Sequence, residues 1–319
     1  MITLDDVKAA RERIAPFVKR TPIERNQSIS DLIGTNVYLK MELFQKTGSF
    51  KPRRAFNKML RMNAHLRSDG VIAISGGNFA QGVAYAGNVL GVRSRILMPE
   101  YTPKNYLDAT KSYGAEVELL PDIAACFAKA ERYRQKGWAY FHPYDDPHVM
   151  EGYGTIGLEL VEDLPDLTDL IVSIGGGGLM TGITIAVKGL KHQLRVWTVE
   201  TQGSETMGKA LKAGKVVQIE PKSLAKTLGA PYVAEDALEV ELEMVEDHTI
   251  VSDKEAIEAQ RFILERTKIL TELAASCTLA AARKLAKQFS ENSHVALVLC
   301  GGNVSLDQLC EYKKIMEAT

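Results

Sequence analysis

The run Lys46-Thr47-Gly48-Ser49-Phe50-Lys51-Pro52 sets one lysine behind a glycine-containing turn, at the start of an expected helix. An amine at a helix N-terminus lies near partial positive charge, which favours its neutral, nucleophilic form. A neutral lysine can form a Schiff base with a carbonyl cofactor. By itself the run is also compatible with an ordinary surface lysine, one of 39 Lys and Arg. Three further loops change that balance.

Ser75-Gly76-Gly77-Asn78 follows an apolar stretch; its glycines let backbone approach a flat ligand, and Asn78 offers an amide to a ring oxygen. A plain turn is the alternative. Gly175-Gly176-Gly177-Gly178-Leu179 lies between an apolar run ending at Ser173 and an expected helix near Leu179. Four glycines at such a junction expose N–H donors suited to a phosphate. A dinucleotide fingerprint, G-x-G-x-x-G, fails at its final glycine, which would be Met180 or Thr181. Glu200 at a later strand end leaves that rival weakened rather than excluded. Cys300-Gly301-Gly302-Asn303 closes the last apolar run, so Cys300 is either a small core residue or a side chain facing a ligand.

These loops need rigid elements to present them. Short apolar runs at Asn36–Lys40, Val71–Ser75, Arg95–Pro99, Glu116–Leu120, Leu170–Ser173, Val196–Val199 and Val295–Leu299 read as strands. Helical sequence runs between most of them, as in Ala80–Val89, Lys104–Ser112 and Ile123–Gln135. The alternation predicts an α/β fold with mainly parallel twisted sheets flanked by helices, in which ligands sit at the carboxyl ends of the strands. Two domains are expected: residues 1–50 and 146–319 form the larger, and residues 51–145 a compact unit inserted in it.

Bulk composition removes other classes. The chain has 319 residues, 45% hydrophobic and 25% charged, with formal net charge −1. Near-neutral charge gives no electrostatic case for nucleic acid or an anionic membrane. The acidic N-terminus lacks an apolar signal core, and no apolar run is long enough to span a bilayer. Four cysteines without a C-x-x-C pair fit a reducing cytoplasm. The six histidines show no ligand spacing and read as surface or structural residues.

Taken in order, the Lys46–Lys51 motif, Ser75 to Gly82, Glu151-Gly152-Tyr153-Gly154-Thr155-Ile156-Gly157, the tetraglycine and Cys300–Asn303 carry a resemblance. Nearly end to end, the chain resembles the fold-type II pyridoxal-phosphate-dependent serine/threonine dehydratase (threonine ammonia-lyase) family, with its tryptophan synthase beta-like fold. The resemblance implies that Lys51, beside Phe50, carries pyridoxal 5'-phosphate as a Schiff base. It implies that Asn78 contacts the ring hydroxyl, that Gly175, Gly176, Gly177, Gly178 and Leu179 hold the phosphate, and that Cys300 faces the ring nitrogen. The substrate carboxylate is expected on the loop Ser75, Gly76, Gly77, Asn78 and Phe79. A small-molecule amino-acid substrate, a homodimer or higher homo-oligomer and a cytoplasmic location complete the expectation.

The departures are specific. Arg54 stands where the family has glycine, Phe79 where it has histidine, Cys300 where it has serine, and Glu272-Leu273 where it has Glu-Pro. A family metal site would begin at Glu200, but its later carboxylate position is Thr206, so no metal is expected. The implied reaction removes water from a 3-hydroxy amino acid of threonine or serine type, with Lys51 as base, giving a 2-oxo acid and ammonia. Racemisation is the nearest rival; its second base would fall at Gly76, which has no side chain. β-Replacement, a dinucleotide-dependent dehydrogenase and a non-catalytic phosphate-ligand binder are further alternatives. The chain's end at Thr319, soon after the last expected helix, suggests a catabolic enzyme without a regulatory domain.

Overall fold

The computed structural model describes residues 1–63 and 69–317. Its strands, numbered in chain order, build two sheets. The larger contains β1 (Ile23–Arg25), β2 (Asn36–Lys40), β7 (Asp169–Ser173), β8 (Arg195–Thr201), β9 (Asp247–Val251) and β10 (His294–Val298). Their spatial order is β1-β2-β10-β7-β8-β9, and all neighbours are parallel except β1 against β2. The smaller sheet is fully parallel, in the order β5-β4-β3-β6, from β3 (Val71–Ile74), β4 (Ser94–Pro99), β5 (Glu116–Leu120) and β6 (Ala139–Phe141).

The apolar runs become the inner strands because parallel strands lose solvent on both faces. Every residue of β3 and β7 is buried. Strands β1, β6 and β9 lie outside the runs that the sequence marks. Each is an edge strand, two of them only three residues long, and each is partly exposed, so apolar patterning marks them weakly. The helix expected over 80–89 runs from Asn78 to Leu90, starting directly after the Gly77 backbone and ending at left-handed Gly91.

Two motif glycines act through close approach. A β-carbon on Gly82 would stand 2.9 Å from Lys51 Cβ, and one on Gly152 would stand 2.8 Å from Arg53 O and Arg54 Cα. The helices Asn78–Leu90 and Pro147–Asp163 can therefore both press against the Lys51–Arg61 helix.

That helix is also fixed by charge. The Arg53 guanidinium, 0% exposed, donates to both Glu42 oxygens at 2.9 and 2.8 Å and to both Glu159 oxygens at 2.7 and 3.0 Å. Buried Lys40 donates to Glu159 Oε2 at 2.6 Å and to Thr21 O at 2.8 Å. Two cations and two carboxylates thus balance inside the protein. Removing one member leaves an uncompensated charge, which is far more costly than replacing a whole network. Arg53→Met should lower unfolding free energy by about 3–5 kcal/mol in urea titration. A loss below about 1 kcal/mol would mean that the network does not hold the helix.

Candidate active site

The turn before Lys51 is held by the end of β10. Ser49 bridges to Gly301, Phe50 N donates to Cys300 O at 3.1 Å, and Gly302 N donates to Gly48 O at 3.0 Å. Asn303 Nδ2 donates to Thr47 O at 2.8 Å. Thr47 has φ 64°, a left-handed conformation that costs a non-glycine residue energy and is kept where surrounding contacts over-determine it. Lys51 is the first residue of its helix, followed by Pro52, and its Nζ lies 4.3 Å from the centre of the Phe50 ring.

Burial of the amine, reinforced by the nearby Arg54 charge, pushes the Lys51 pKa down to about 7, against opposing effects of Cys300 and Glu272. An amine whose pKa lies near neutrality has the chemistry to serve as a nucleophile or base. The sequence locates this lysine from its motif; burial and Arg54 are what the fold adds.

Asn78 starts the Asn78–Leu90 helix, buried at 2% exposure. Its Nδ2 lies 2.9 Å from each Glu272 oxygen, and its Oδ1 accepts from Asn303 Nδ2 at 2.7 Å. Glu272 belongs to the same cluster, and burial raises its pKa to about 7 despite hydrogen bonds from Asn78 and Thr227 and the Lys51 charge. In the sequence Glu272 stands out only as part of the departure from Glu-Pro. Its place beside Asn78, 194 residues away, is set by the sheet. Asn303, Ser173 and Tyr153 also join the site, none of them singled out by sequence. Asn303 and Tyr153 lie inside the family-like motifs, whereas Ser173 carries no more signal than a strand end.

Cys300 is 2% exposed at the end of β10, its Sγ 3.7 Å from Ser173 Oγ. Burial pushes the thiol up to about 12, so it stays protonated. Ser75 Oγ accepts from Gly77 N at 3.1 Å, closing the loop Ser75–Asn78 on itself. A β-carbon on Gly76 would stand 2.7 Å from Thr102 Oγ1, a hydroxyl the sequence gives no reason to place there.

The tetraglycine follows β7 and feeds the helix Gly178–Leu190, with Gly177 at φ 90°. Among the described residues, the N–H groups of Gly175 to Leu179 find no protein acceptor. Thr47 Oγ1, Ser49 Oγ and Tyr153 Oη are buried without hydrogen-bond partners. A free N–H cradle, orphaned hydroxyls and a poised lysine fit pyridoxal phosphate.

The glycines of the cradle are constrained from outside it. A β-carbon on Gly176 would run into the Tyr144 ring. The β-carbon of residue 177 would meet Ala237 Cβ. Bulk at either position acts on the loop's packing, and through it on the donors.

Two histidines are less peripheral than the sequence suggests. Burial and the Arg54 and Lys58 charges push His142 down to about 4. His248 contacts Glu200 at 3.1 Å and Glu241 at 3.2 Å; burial opposes its charge, but these two carboxylates raise it to about 9. Glu200 also accepts from Met207 N and Gly208 N at 2.8 and 2.9 Å. His65 lies outside the described residues.

Two mainly parallel sheets with a buried lysine at a helix start and a glycine cradle at a strand end define the architecture of a fold-type II pyridoxal-phosphate enzyme. Residues 14–301 match the family model described as "Pyridoxal-phosphate dependent enzyme", and the chain belongs to that family. It is 37% identical over 312 residues to the L-threonine ammonia-lyase of Thermotoga maritima, covering 97% of this chain and 77% of that protein. It is 33% identical to the serine racemase of Schizosaccharomyces pombe, covering 97% of each. A solved T.th. threonine deaminase superposes with a TM-score of 0.90 at 34% identity, covering 96% of this chain and 99% of that one.

Gly177→Val combines a clash with Ala237 and an unfavourable positive φ. It should weaken pyridoxal-phosphate affinity at least about tenfold, since hydrogen bonds to a charged group are worth roughly 1.5–3 kcal/mol. Cofactor titration by absorbance on the folded variant checks this; unchanged affinity would count against the cradle.

Proposed function

We propose that the protein is a pyridoxal-phosphate-dependent dehydratase that removes water from a 3-hydroxy amino acid of the threonine or serine type. The products are a 2-oxo acid and ammonia. The observation that carries this reading is the buried Lys51 amine at the start of its helix, in a fold that also presents a strand-end glycine cradle with free N–H donors. The similarity to an L-threonine ammonia-lyase over nearly the whole chain supports it.

Bound pyridoxal phosphate supplies a carbonyl for the substrate amine and a conjugated ring that withdraws electron density from Cα. Lys51 anchors the group and, as a neutral amine, takes the Cα proton. The N–H groups of Gly175 to Leu179 hold the phosphate, and Phe50 packs beside Lys51. Asn78, braced between Glu272 and Asn303, would orient the ring hydroxyl of the bound group. Cys300, kept a neutral thiol by burial, would lie toward the ring nitrogen of the bound group and would be a poor proton donor to it. The loop Ser75, Gly76, Gly77, Asn78 and Phe79 receives the substrate's α-carboxylate at a helix N-terminus.

The two sheets support a division into a cofactor unit, residues 1–50 and 146–319, and a smaller unit, residues 51–145. No helix among the described residues is long and apolar enough to cross a membrane. A cytoplasmic catabolic enzyme, acting as a homodimer or larger homo-oligomer, is the setting consistent with this reading.

Two measurements test it. Lys51→Ala should lose ammonia release and the visible absorbance of bound cofactor together. In the wild-type apoenzyme, cofactor capture should accelerate as pH rises through about 7, because Lys51 becomes neutral there rather than near the ordinary 10.5. A capture rate still climbing steeply above pH 9 would show an unperturbed lysine.

The racemase alternative is tested by chiral analysis of recovered substrate. With only a backbone at Gly76, the wild type should yield 2-oxo acid and almost no D-isomer. Abundant D-isomer would place an acid on that face and overturn the dehydratase-only reading, with Thr102 the first residue to substitute.

A further inference from the structure

Arg54 lies one helical turn beyond Lys51, where side chains three residues apart share a face. It is 1% exposed. Its guanidinium carbon stands 3.5 Å from the centre of the Phe79 ring, at the start of the helix that follows the Ser75–Gly77 loop. Its hydrogen bonds run to neutral acceptors, Pro143 O and His142 O, the latter at 3.3 Å. Asp146, the carboxylate whose charge reaches it, is already paired with Lys58. Among the described residues, no carboxylate stands within ion-pair distance of Arg54.

The contrast with Arg53 is direct. Arg53, one residue earlier, has two carboxylates; Arg54, equally buried, has none. Burial works against the charge of Arg54, only partly offset by the neighbouring Tyr153, and that charge in turn lowers the affinity of Lys51 for a proton. A cation kept in low dielectric without a counter-charge is costly. The buried Tyr153 hydroxyl lies beside the guanidinium and is a neutral neighbour rather than a counter-charge. Arginine presents a planar fork suited to a carboxylate, and the Phe79 face holds that plane in position.

We propose that Arg54 receives an anionic group carried on the substrate's side chain, so that the preferred substrate is a dicarboxylic 3-hydroxy amino acid. This rests on the dehydratase reading and narrows it. The α-carboxylate already has the N-terminus of the Asn78–Leu90 helix, and the cofactor phosphate has the tetraglycine. Arg54 supplies a charge that neither loop needs. Its stacking on Phe79 places it at the substrate loop rather than at the cradle.

The holoenzyme is assayed for ammonia release with 3-hydroxyaspartate, L-threonine and L-serine, and succinate and butyrate binding is measured by calorimetry. The expected result is a higher kcat/KM for 3-hydroxyaspartate and tighter binding of succinate than of butyrate. Arg54→Met, which keeps length and packing, should lower kcat/KM for the dicarboxylic substrate relative to threonine by about ten- to a hundredfold, through KM. Arg54→Lys should restore part of that ratio.

Equal losses for all substrates would assign Arg54 to the α-carboxylate and overturn the proposal. A fall in cofactor affinity with unchanged KM values would assign it to the phosphate and overturn it too. If Arg54→Met does not fold, the wild-type comparison still decides: succinate bound no better than butyrate rejects the proposal. Preferential succinate binding without ammonia from any hydroxy amino acid would instead reject the dehydratase reading while keeping the anion site.

Discussion

The buried charge network around Arg53 is the constraint on which the site depends. Lys51 begins a helix whose first turn carries Arg53 into a pocket formed by Glu42 and Glu159, with Lys40 completing the balance. Glu42 comes from the turn after β2, and Glu159 from the long helix Pro147–Asp163. One guanidinium thus ties the lysine's helix to both a strand end and a helix of the larger sheet's layer. Such a network contributes little net stability compared with an apolar core, but any misplacement of the helix would strand its charges. It fixes position more than it adds strength.

Around that fixed helix the site is a set of seams between segments distant in sequence. The β10 end supplies Cys300 and the backbone bonds that hold the Lys51 turn. The helix start at Asn78 supplies an amide locked by Glu272 and Asn303. The tetraglycine supplies donors, with Tyr144 and Ala237 filling the space beside its glycines. Lys51 and Glu272 are both displaced toward 7 by burial, from opposite directions. Two titratable groups drawn together in this way suit a pocket in which a proton must leave and return near neutral pH.

Adjacent arginines show how position within a helix decides function. Arg53 and Arg54 differ by about 100° around the helix axis, so one reaches Glu159 and the other the Phe79 ring. The first is neutralised by carboxylates of its own protein; the second meets backbone carbonyls, an aromatic face and the Tyr153 hydroxyl, with no carboxylate within ion-pair distance among the described residues. Phe79, judged by residue type alone, is the loss of a polar contact. With the guanidinium stacked on it, the loss at residue 79 is matched by a gain at residue 54.

The class of fold, the lysine motif and the glycine loops were legible along the chain. Strand periodicity, strand-to-helix glycine clusters and a lysine at a helix start are local patterns, legible over a few residues. The sequence could also mark Arg54 and Phe79 as departures, since each is a residue type at a position. That these two touch, that Glu272 braces Asn78 and that Thr102 fills the space beside Gly76 emerges only once the chain is folded. Each is a contact between chain segments brought together by sheet order and helix packing, and no spacing in the sequence encodes it. The same holds for the Lys51 amine: its type is written in the motif, while its depressed pKa comes from the desolvation and charge that the folded pocket imposes.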